Sequence, residues 1–226
     1  MPNTATICAT SNQILAGLSA TDFDLLKPHL KTVNLPVRLQ LENQNKLIKY
    51  VYFVERGIVS VVANGSVKRS IEVGIIGFEG MTGFAVIMGA DCAAYESFVQ
   101  VAGSGQRITA ANLRLAMEDS VTLHRAFLLY GNAFAIQIAG TALANGRSKI
   151  EERLARWLLM AHDRIDGNEM LLTHEFLSVM LGVRRAGVTE ALNLLQDAGL
   201  IRSRRGKILI LDRDRLEKSS DGTYRP

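Results

Sequence analysis

Six basic residues lie close together near the C-terminal end of the 226-residue chain. The window from Arg184 to Lys207 contains these six and only two acidic residues, Glu190 and Asp197. The net charge of the whole chain at pH 7 is +4, and this window alone supplies an excess of that size. Arginine and lysine side chains at such density bind phosphates, and arginine also reads guanine through paired hydrogen bonds. The cluster therefore indicates contact with a nucleic acid.

The residues from His174 to Asn193 have the spacing of a helix-turn-helix. Ser178 supplies the small residue that this arrangement needs, and Gly182 supplies a turn residue that tolerates positive φ. Apolar residues stand where the two helices would cross, at Leu177, Leu181, Val183, Val188 and Ala191. Thr173 is placed to cap the first helix, with Glu175 in its first turn. The pattern predicts that the second helix turns a polar face towards DNA.

The candidate DNA-binding residues follow from this arrangement. Arg185, near the start of the second helix, is the expected base-reading residue because arginine donates two hydrogen bonds to guanine. Glu190 would accept a hydrogen bond from a cytosine amino group. The other candidates would contact bases or phosphates. The complete predicted set is Thr173, Arg184, Arg185, Thr189, Glu190, Asn193, Arg204, Arg205 and Lys207.

A basic hairpin is predicted directly after this motif. Gly199 ends the second helix, and two apolar runs, Leu200 to Ser203 and Lys207 to Leu211, flank Arg204-Arg205-Gly206. This is the pattern of a wing, whose cations would meet phosphates with little regard to sequence. A small helical domain with a solvated basic surface is the alternative that the residues leave open.

The N-terminal half has a different pattern. An amphipathic segment from Asn12 to Leu30 is followed, from Val33 to Ile108, by short β-prone runs separated by glycines. Asn64-Gly65, between two such runs, predicts a type I′ hairpin turn, because that turn needs positive φ at both central positions. The spacing of the runs predicts an antiparallel barrel or sandwich. From about Ala110 the spacing becomes helical.

A long uncharged helix is predicted next, with 21 residues between Arg125 and Arg147 that carry no charge. This length could cross a bilayer, but Asn132, Gln137 and Asn145 recur through it, and amides are costly in hydrocarbon. We therefore expect no membrane span. The apolar residues that share one face are predicted to form a homodimer interface and are Phe127, Tyr130, Phe134, Ile138 and Ala142.

The glycines of this helix also favour a homodimer interface. Gly131, Gly140 and Gly146 would each cost about 1 kcal/mol relative to alanine in a helix interior. Such a cost is easier to accept where another backbone packs closely, as in a dimer. A core helix packed only within its own chain is the alternative. A second helix, Lys149 to Arg164, leads into the helix-turn-helix.

Composition narrows the class of protein. The chain is 48% hydrophobic and 21% charged, as folded proteins are. Its two cysteines, Cys8 and Cys92, are too far apart in sequence to suggest a disulfide framework or a thiolate metal cage. The segment from Met1 to Cys8 does not resemble a secretion signal, so we expect a cytoplasmic protein.

No histidine lies between Val33 and Ile108, which argues against a metal-dependent barrel enzyme. We therefore expect no catalysis, metal or cofactor.

Taken together, the sequence resembles the Crp/Fnr superfamily of bacterial transcription regulators. The resemblance is most specific from Leu172 to Ile201, is weaker in Tyr50 to Gly57 and Gly77 to Gly80, and covers nearly the whole chain. It implies an α+β fold with an N-terminal jelly-roll β-barrel at 1–118, a long dimerisation helix at 119–147 and a C-terminal winged helix-turn-helix at 148–226. It also implies a homodimer that binds two-fold related half-sites on double-stranded DNA and contacts RNA polymerase.

The effector pocket departs from the cyclic AMP-binding members of the superfamily. Those members carry Gly-Glu-Leu and then Arg-Ser/Thr-Ala, whose Glu and Arg bind the ribose and the phosphate. The corresponding residues here, which we take as the possible effector pocket, are Gly80, Met81, Thr82, Tyr95, Glu96 and Ser97. Neither charged ligand is in place, and a phosphate would face Glu96, so the resemblance implies a degenerate or altered pocket. A regulator that responds to a cyclic nucleotide or another small molecule in the barrel is the alternative.

Other departures concern the signal and the DNA site. Two distant cysteines cannot supply the four thiolates of an iron-sulfur cluster. Four histidines, His29, His124, His162 and His174, leave haem ligation open in principle. Ala186 and Glu190 replace the residues of the cyclic AMP receptor pattern, so a different half-site is expected. The sequence leaves open the effector, the operator, the target genes and whether transcription rises or falls.

Overall fold

The computed structural model describes residues 10–65 and 70–224. Two compact units are present, the first formed by Met1–Ser60 with Ile76–Ala135 and the second by Val61–Ile75 with Ile136–Pro226. The N-terminal segment in which no secretion signal was predicted, including Cys8, lies outside the described residues. So do residues 66–69, which immediately follow the predicted Asn64-Gly65 turn.

The described residues form both helices and strands. The helices are α1 (Gln13–Ala16), α2 (Ala20–Leu26), α3 (Phe84–Ile87), α4 (Ala110–Asp119), α5 (Val121–Arg147), α6 (Ile150–His162), α7 (His174–Leu181), α8 (Arg185–Asp197) and α9 (Arg213–Lys218), with a short 3-10 helix at Lys27–His29. The strands are β1 (Lys31–Leu35), β2 (Gln40–Glu42), β3 (Tyr50–Asn64), β4 (Ser70–Ile76), β5 (Glu96–Thr109), β6 (Glu169–Leu171), β7 (Ile201–Arg204) and β8 (Lys207–Ile210).

The N-terminal strands form a sheet in the order β1-β5-β3-β4, with β2 also paired to β5. Both β1 and β2 run antiparallel to β5. The strand-like region predicted from Val33 to Ile108 is interrupted by the short helix α3, and α4 begins at Ala110, where the sequence pattern becomes helical. With the long helix and the C-terminal helix-turn-helix, the α+β fold class predicted from the sequence is confirmed.

The core of the first unit includes one face of α5. Phe127 is fully buried with its ring centroid 6.0 Å from that of Phe53, and Phe134 lies 5.7 Å from Phe84. Each buried aromatic removes a large apolar area from water. Phe127 and Phe134 therefore belong to the core of their own chain, which corrects the prediction that they face a second copy.

The other residues of the predicted dimer face differ among themselves. Tyr130 and Ile138 are half-buried, and Ala142 is exposed. Two of the three glycines face their own chain: a Cβ on Gly131 would lie 3.3 Å from the Cδ1 of Ile87, and a Cβ on Gly140 would lie 3.2 Å from the Nη2 of Arg156, whereas a Cβ on Gly146 would meet nothing within 4 Å. Close packing at Gly131 is thus explained without a second backbone.

Helix α5 has apolar residues on more than its inner face. Among the described helices it alone is long and apolar enough to cross a membrane, with a mean hydropathy of 1.4, but only 17% of that window is buried in the chain. An apolar surface therefore remains on α5 outside the core.

The second unit contains α6 to α9 and a three-stranded antiparallel sheet in the order β6-β8-β7. Its core is formed by the apolar faces of the helices, with fully or almost fully buried side chains at Leu154, Leu158, Leu177, Val188, Ala191 and Leu192. Strand β4 also contributes to this unit through residues up to Ile75. These contacts position α7 and α8.

Candidate DNA interface

Helices α7 and α8 form a helix-turn-helix at the predicted position. The Oγ1 of Thr173 accepts a hydrogen bond of 3.2 Å from the backbone N–H of Phe176, which caps the start of α7. Gly182 ends α7 with a φ of 63°, in the left-handed region that favours glycine. Helix α8 begins two residues after Val183, at Arg185, so a short turn joins the two helices.

The turn is packed tightly against the strand β4. A Cβ on Gly182 would lie 2.9 Å from the Cδ1 of Ile71. One residue further along β4, Glu72 accepts a hydrogen bond from the indole N–H of Trp157, whose ring packs edge-on against Phe176 at 6.4 Å. Strand β4 and helix α6 therefore hold the first helix of the motif from two sides.

The two faces of α8 separate as the sequence predicts. Val188, Leu192 and Leu195 are buried against the rest of the unit. The predicted DNA-contacting positions on and beside α8 are all exposed: Arg184, Arg185, Thr189, Glu190 and Asn193. Helix α8 thus presents a polar face to solvent, with two arginines at its N-terminal end.

An ion pair joins the two helices on this exposed face. The Nη2 of Arg185 lies 2.9 Å from the Oε2 of Glu175, and the two side chains are 65% and 76% exposed. Exposed pairs of this kind contribute about 0 to 1 kcal/mol, since water and salt screen them. The pair can therefore orient Arg185, and breaking it so that Arg185 can bind another group has a small free-energy cost.

The side chain of Thr189 makes two polar contacts. Its hydroxyl donates a hydrogen bond of 3.1 Å to the backbone carbonyl of Arg185, and its Oγ1 lies 3.1 Å from the Nδ1 of His174. His174 was not among the predicted DNA-binding residues, although its place directly after the cap Thr173 puts it beside α8.

The wing is a tight hairpin at the predicted position. Strands β7 and β8 are joined by Arg205 and Gly206, which have φ values of 51° and 77°. Positive φ at both central positions is what a type I′ turn requires. It is uncommon for a non-glycine residue such as Arg205 and costs about 1 to 2 kcal/mol. The exposed guanidinium of Arg205 is thereby held at the tip of the hairpin.

The outer face of the wing sheet is basic. Arg204 pairs in register with Lys207, whose Nζ lies 2.7 Å from the carboxylate of Glu169. A groove of about 460 Å³ on this face is lined by Glu169, Arg202, Arg204, Arg205, Lys207 and Leu209. Arg202 was not predicted as a DNA contact. Strand alternation places Arg202 on the same face as Arg204, because residues two apart on β7 share a face.

The residues of the predicted effector pocket are only partly brought together. Gly80, Met81, Thr82 and Ser97 are buried, whereas Tyr95 and Glu96 are half-exposed. The hydroxyl of Tyr130 donates 2.7 Å to the carbonyl of Met81. Glu42, which the sequence reasoning missed, accepts hydrogen bonds from the hydroxyl of Ser97 and, at 2.8 Å, from the N–H of Gly83.

Burial raises the pKa of Glu42, and the hydrogen bonds from Ser97 and Gly83 act in the opposite direction. Elsewhere, burial together with a hydrogen bond to Asp163 raises the pKa of Tyr224 to about 12. This tyrosine also accepts a 2.7 Å hydrogen bond from Arg213, which fastens the C-terminal segment to α6 and α9. Within residues 10–65 and 70–224, no group of three or more His, Cys, Asp or Glu side chains could hold a metal ion.

Comparison with known proteins agrees with this geometry. Residues 152–219 match the family of Crp-like helix-turn-helix domains. A search of curated proteins found no significant match.

Solved structures of regulators are similar over most of the chain. FixK2 from Bradyrhizobium japonicum is 19% identical, with a TM-score of 0.72 over 84% of this chain and 96% of its own. A putative transcriptional regulator of the Crp/Fnr family from Eubacterium rectale is 21% identical, with a TM-score of 0.74 over 92% and 98%. The c-di-GMP responsive global regulator CLP of Xanthomonas campestris is 17% identical, with a TM-score of 0.65 over 85% and 99%. The chain therefore has the fold of Crp/Fnr regulators and contains a Crp-like helix-turn-helix domain.

Proposed function

We propose that this protein is a sequence-specific DNA-binding transcription regulator that acts as a homodimer on two-fold related half-sites. The observation that carries the proposal is the exposed polar face of α8 beside a basic wing, inside the part of the chain that matches Crp-like helix-turn-helix domains. The role is regulatory and not catalytic, in the cytoplasm, and includes contact with RNA polymerase. Each part of the chain has its own role in this proposal. The barrel at 1–118 senses a signal, the helix at 119–147 forms the dimer, and the domain at 148–226 binds DNA.

In this proposal α8 enters the major groove. Arg185 leaves Glu175 and donates two hydrogen bonds to a guanine, while Arg184 and Asn193 contact neighbouring bases or phosphates. Glu190 accepts from a cytosine amino group, and Thr189 offers its methyl group. Thr173 contacts a phosphate at the start of α7.

The wing supplies attraction that does not depend on sequence. Arg204, Arg205 and Lys207 are exposed on one hairpin, and each meets DNA phosphates. Counterions released from the DNA make this part of the binding strongly dependent on salt.

Pairing of two chains is supported by a row of exposed apolar side chains along α5. We call the row formed by Leu129, Ile136 and Leu143 the exposed stripe. Leu129, Ile136 and Leu143 stand seven residues apart and are 63%, 57% and 57% exposed. Asn132 and Ala139 lie between them, and Gly146 lies three residues after Leu143, so each apolar residue is followed at the third position by a small or polar residue. The three apolar residues repeat every seven residues, as one of the two apolar positions of a left-handed coiled coil does. We therefore assign the dimer contact to this stripe, on the side of α5 that the core leaves open.

The exposed stripe also accounts for the uncharged length of α5. A helix whose inner face meets a core and whose outer face meets a second copy needs apolar residues on both sides. Two copies related by a two-fold axis present two α8 helices to two-fold related half-sites.

Fluorescence anisotropy with the full-length protein and a random-sequence DNA duplex tests the basic claim. The double variant Arg184→Ala/Arg185→Ala removes two cations from α8, and Arg56→Ala removes an exposed arginine of the first unit as a control. We expect tight, salt-dependent binding by the wild type and by Arg56→Ala, and weaker binding by the double variant. Equal affinity of all three proteins, or no binding at low salt, would contradict the proposal.

A further inference from the structure

The carboxylate of Glu42 sits where two hydrogen-bond donors from distant parts of the first unit converge. Its Oε1 accepts from the backbone N–H of Gly83 at 2.8 Å, and its Oε2 accepts from the hydroxyl of Ser97. Glu42 reaches this position from β2, where it pairs in register with Ser97 of β5. Each carboxylate oxygen thus has one donor, the arrangement that a bound anion would also receive.

Both donors are fixed in place. Ser97 is fully buried. Gly83 has a φ of 80°, and a Cβ at this position would lie 2.4 Å from a side-chain methyl of Val51, so only glycine fits. The N–H of Gly83 is therefore aimed at Glu42 by a backbone conformation that the surroundings enforce.

The neighbouring polar groups of this turn are already satisfied by the chain itself. The N–H of Thr82 donates to the carbonyl of Tyr52 at 2.9 Å, and the N–H of Gly80 donates to the carbonyl of Gly77 at 3.0 Å. The Oγ1 of Thr82 accepts from the N–H of Tyr52 at 3.0 Å. The N–H groups of Gly80, Thr82 and Tyr52 therefore have neutral acceptors. The N–H of Gly83 and the hydroxyl of Ser97 instead donate to a carboxylate.

We propose that Glu42 is a resident anion, whose carboxylate occupies the position at which this side of the barrel could hold the phosphate or carboxylate group of a small molecule. The barrel therefore excludes anionic effectors of this kind while Glu42 is ionised. An effector that reaches these residues would have to be neutral or cationic. The inference concerns the barrel alone and does not depend on DNA binding.

Charge and hydrogen bonding both act in this exclusion. A second anion placed near the ionised Glu42 would meet like-charge repulsion, and it would find the N–H of Gly83 and the hydroxyl of Ser97 already occupied. Removing the carboxylate leaves two fixed donors with no acceptor. Buried donors without partners are costly, which favours any anion small enough to enter.

Isothermal titration of the full-length protein with inorganic phosphate, and separately with cyclic AMP, tests the proposal. The variant Glu42→Ala frees both donors. Glu42→Gln keeps an oxygen for Gly83 and an amide that can donate to Ser97, so the position stays filled without charge. Glu96→Ala is the control, because it removes a carboxylate next to Ser97 in sequence without freeing either donor.

We expect Glu42→Ala to bind inorganic phosphate at least about tenfold more tightly than the wild type, since a charge-assisted hydrogen bond contributes that much. Wild type, Glu42→Gln and Glu96→Ala should remain weak. No gain in Glu42→Ala overturns the proposal. So does an equal gain in Glu96→Ala, which would reflect only the lower negative charge, and so does tight binding of either anion by the wild type.

A measurement on the wild type covers the case in which Glu42→Ala does not fold. In an isotope-labelled full-length protein, the amide proton of Gly83 should shift as Glu42 takes up a proton on acidification, because the two groups are hydrogen-bonded. In Glu42→Gln this titration should vanish. A Gly83 amide that does not follow the titration of a carboxyl group, or that still follows it in Glu42→Gln, shows that Glu42 does not occupy the position and overturns the proposal.

Discussion

The carboxylate of Glu175, in the first helix of the helix-turn-helix, lies 2.9 Å from the guanidinium of Arg185, at the start of the second. In the proposed complex this arginine must exchange a carboxylate for a guanine. The pair is exposed, so its loss costs at most about 1 kcal/mol. Glu175 therefore aligns Arg185 before binding without holding it strongly.

Glu175→Gln should strengthen binding to random-sequence DNA by up to about fivefold, because it removes a negative charge close to the phosphates and releases Arg185. Fluorescence anisotropy at fixed salt measures this. Glu217→Gln, which removes an exposed carboxylate from α9, is the matched control and should have a smaller effect. Weaker binding by Glu175→Gln would show that the ion pair is needed in the complex and would contradict this interpretation.

Arg185 and Lys207 should fail in different ways when each is replaced by alanine. Arg185→Ala should lose about 1 to 3 kcal/mol at a selected site and relax the preference for one base pair. Lys207→Ala should weaken binding to all sequences similarly and reduce the salt slope by about 1. Binding curves over a series of salt concentrations separate the two effects. Identical losses on selected and random DNA for both variants would refute the division between base reading and phosphate contact.

The exposed stripe on α5 predicts a dimer that single charges disrupt. Ile136→Asp places a carboxylate in the middle of the stripe and should shift the protein towards the monomer, as measured by size exclusion with light scattering. Leu47→Asp is the control, since Leu47 is 60% exposed, close to the 57% of Ile136, but lies outside α5. A wild type that is monomeric at micromolar concentration, or an Ile136→Asp variant that still pairs, would remove α5 as the contact.

Gly182 should be more sensitive to substitution than another glycine with a similar backbone. Gly182→Ala incurs the cost of a positive φ, about 1 kcal/mol, and also forces a Cβ against the side chain of Ile71. Gly199→Ala incurs only the first cost, because its φ is 72° and nothing lies within 4 Å. Thermal unfolding should show the larger loss for Gly182→Ala, and Ile71→Ala should recover part of it. Equal losses for the two glycines would mean that β4 does not pack against the turn.

Acid should selectively weaken one cluster in the first unit. The hydrogen bond from Ser120, with others from Ser19 and Thr122, lowers the pKa of Asp22 despite its burial. A lowered folded-state pKa contributes stability above the unfolded value, and this is lost as the pH falls through the folded value. The advantage of wild type over Asp22→Asn should therefore be largest near neutral pH and shrink below about pH 4. Unfolding followed by circular dichroism measures it, and an advantage of wild type that stays constant between neutral pH and pH values below about 4 would contradict the prediction.

Local patterns explain why the helix-turn-helix was placed correctly from the sequence. The cap at Thr173, the turn at Gly182 and the C-terminal glycine at Gly199 are each decided by neighbours a few residues away. The wing turn at Arg205 and Gly206 is equally local. The residue types at these few positions determine the local backbone conformation, so caps and turns can be predicted without knowledge of the rest of the fold.

The face of α5 could not be assigned in the same way. Helical spacing shows that Phe134 and Ile136 lie on different faces of α5, but not which of the two faces packs into the core of the first unit. The structure buries Phe134, at 4% exposure, and leaves Ile136 at 57%. The bulkier aromatic side chains fill the core, which a helical period alone does not reveal.

The contacts of Glu42 could not be predicted from the sequence either. Its partners, Gly83 and Ser97, lie 41 and 55 residues away, and their convergence depends on how β2 and β5 pair. The segments around Gly80 and Ser97 were singled out from the sequence, but the carboxylate that joins them was not. Side-chain contacts of this range follow from the register of the sheet and not from any short pattern.

Selection of DNA from a random library with the full-length protein tests the central claim most directly. The account predicts an enriched site with two-fold symmetry, whose half-sites are separated by about one helical turn, 10 to 10.5 base pairs from centre to centre. Each half-site should lose its preference at one base pair with Arg185→Ala. Recovery of no enriched sequence, or of a single site without symmetry, would contradict a dimeric regulator that reads DNA through α8.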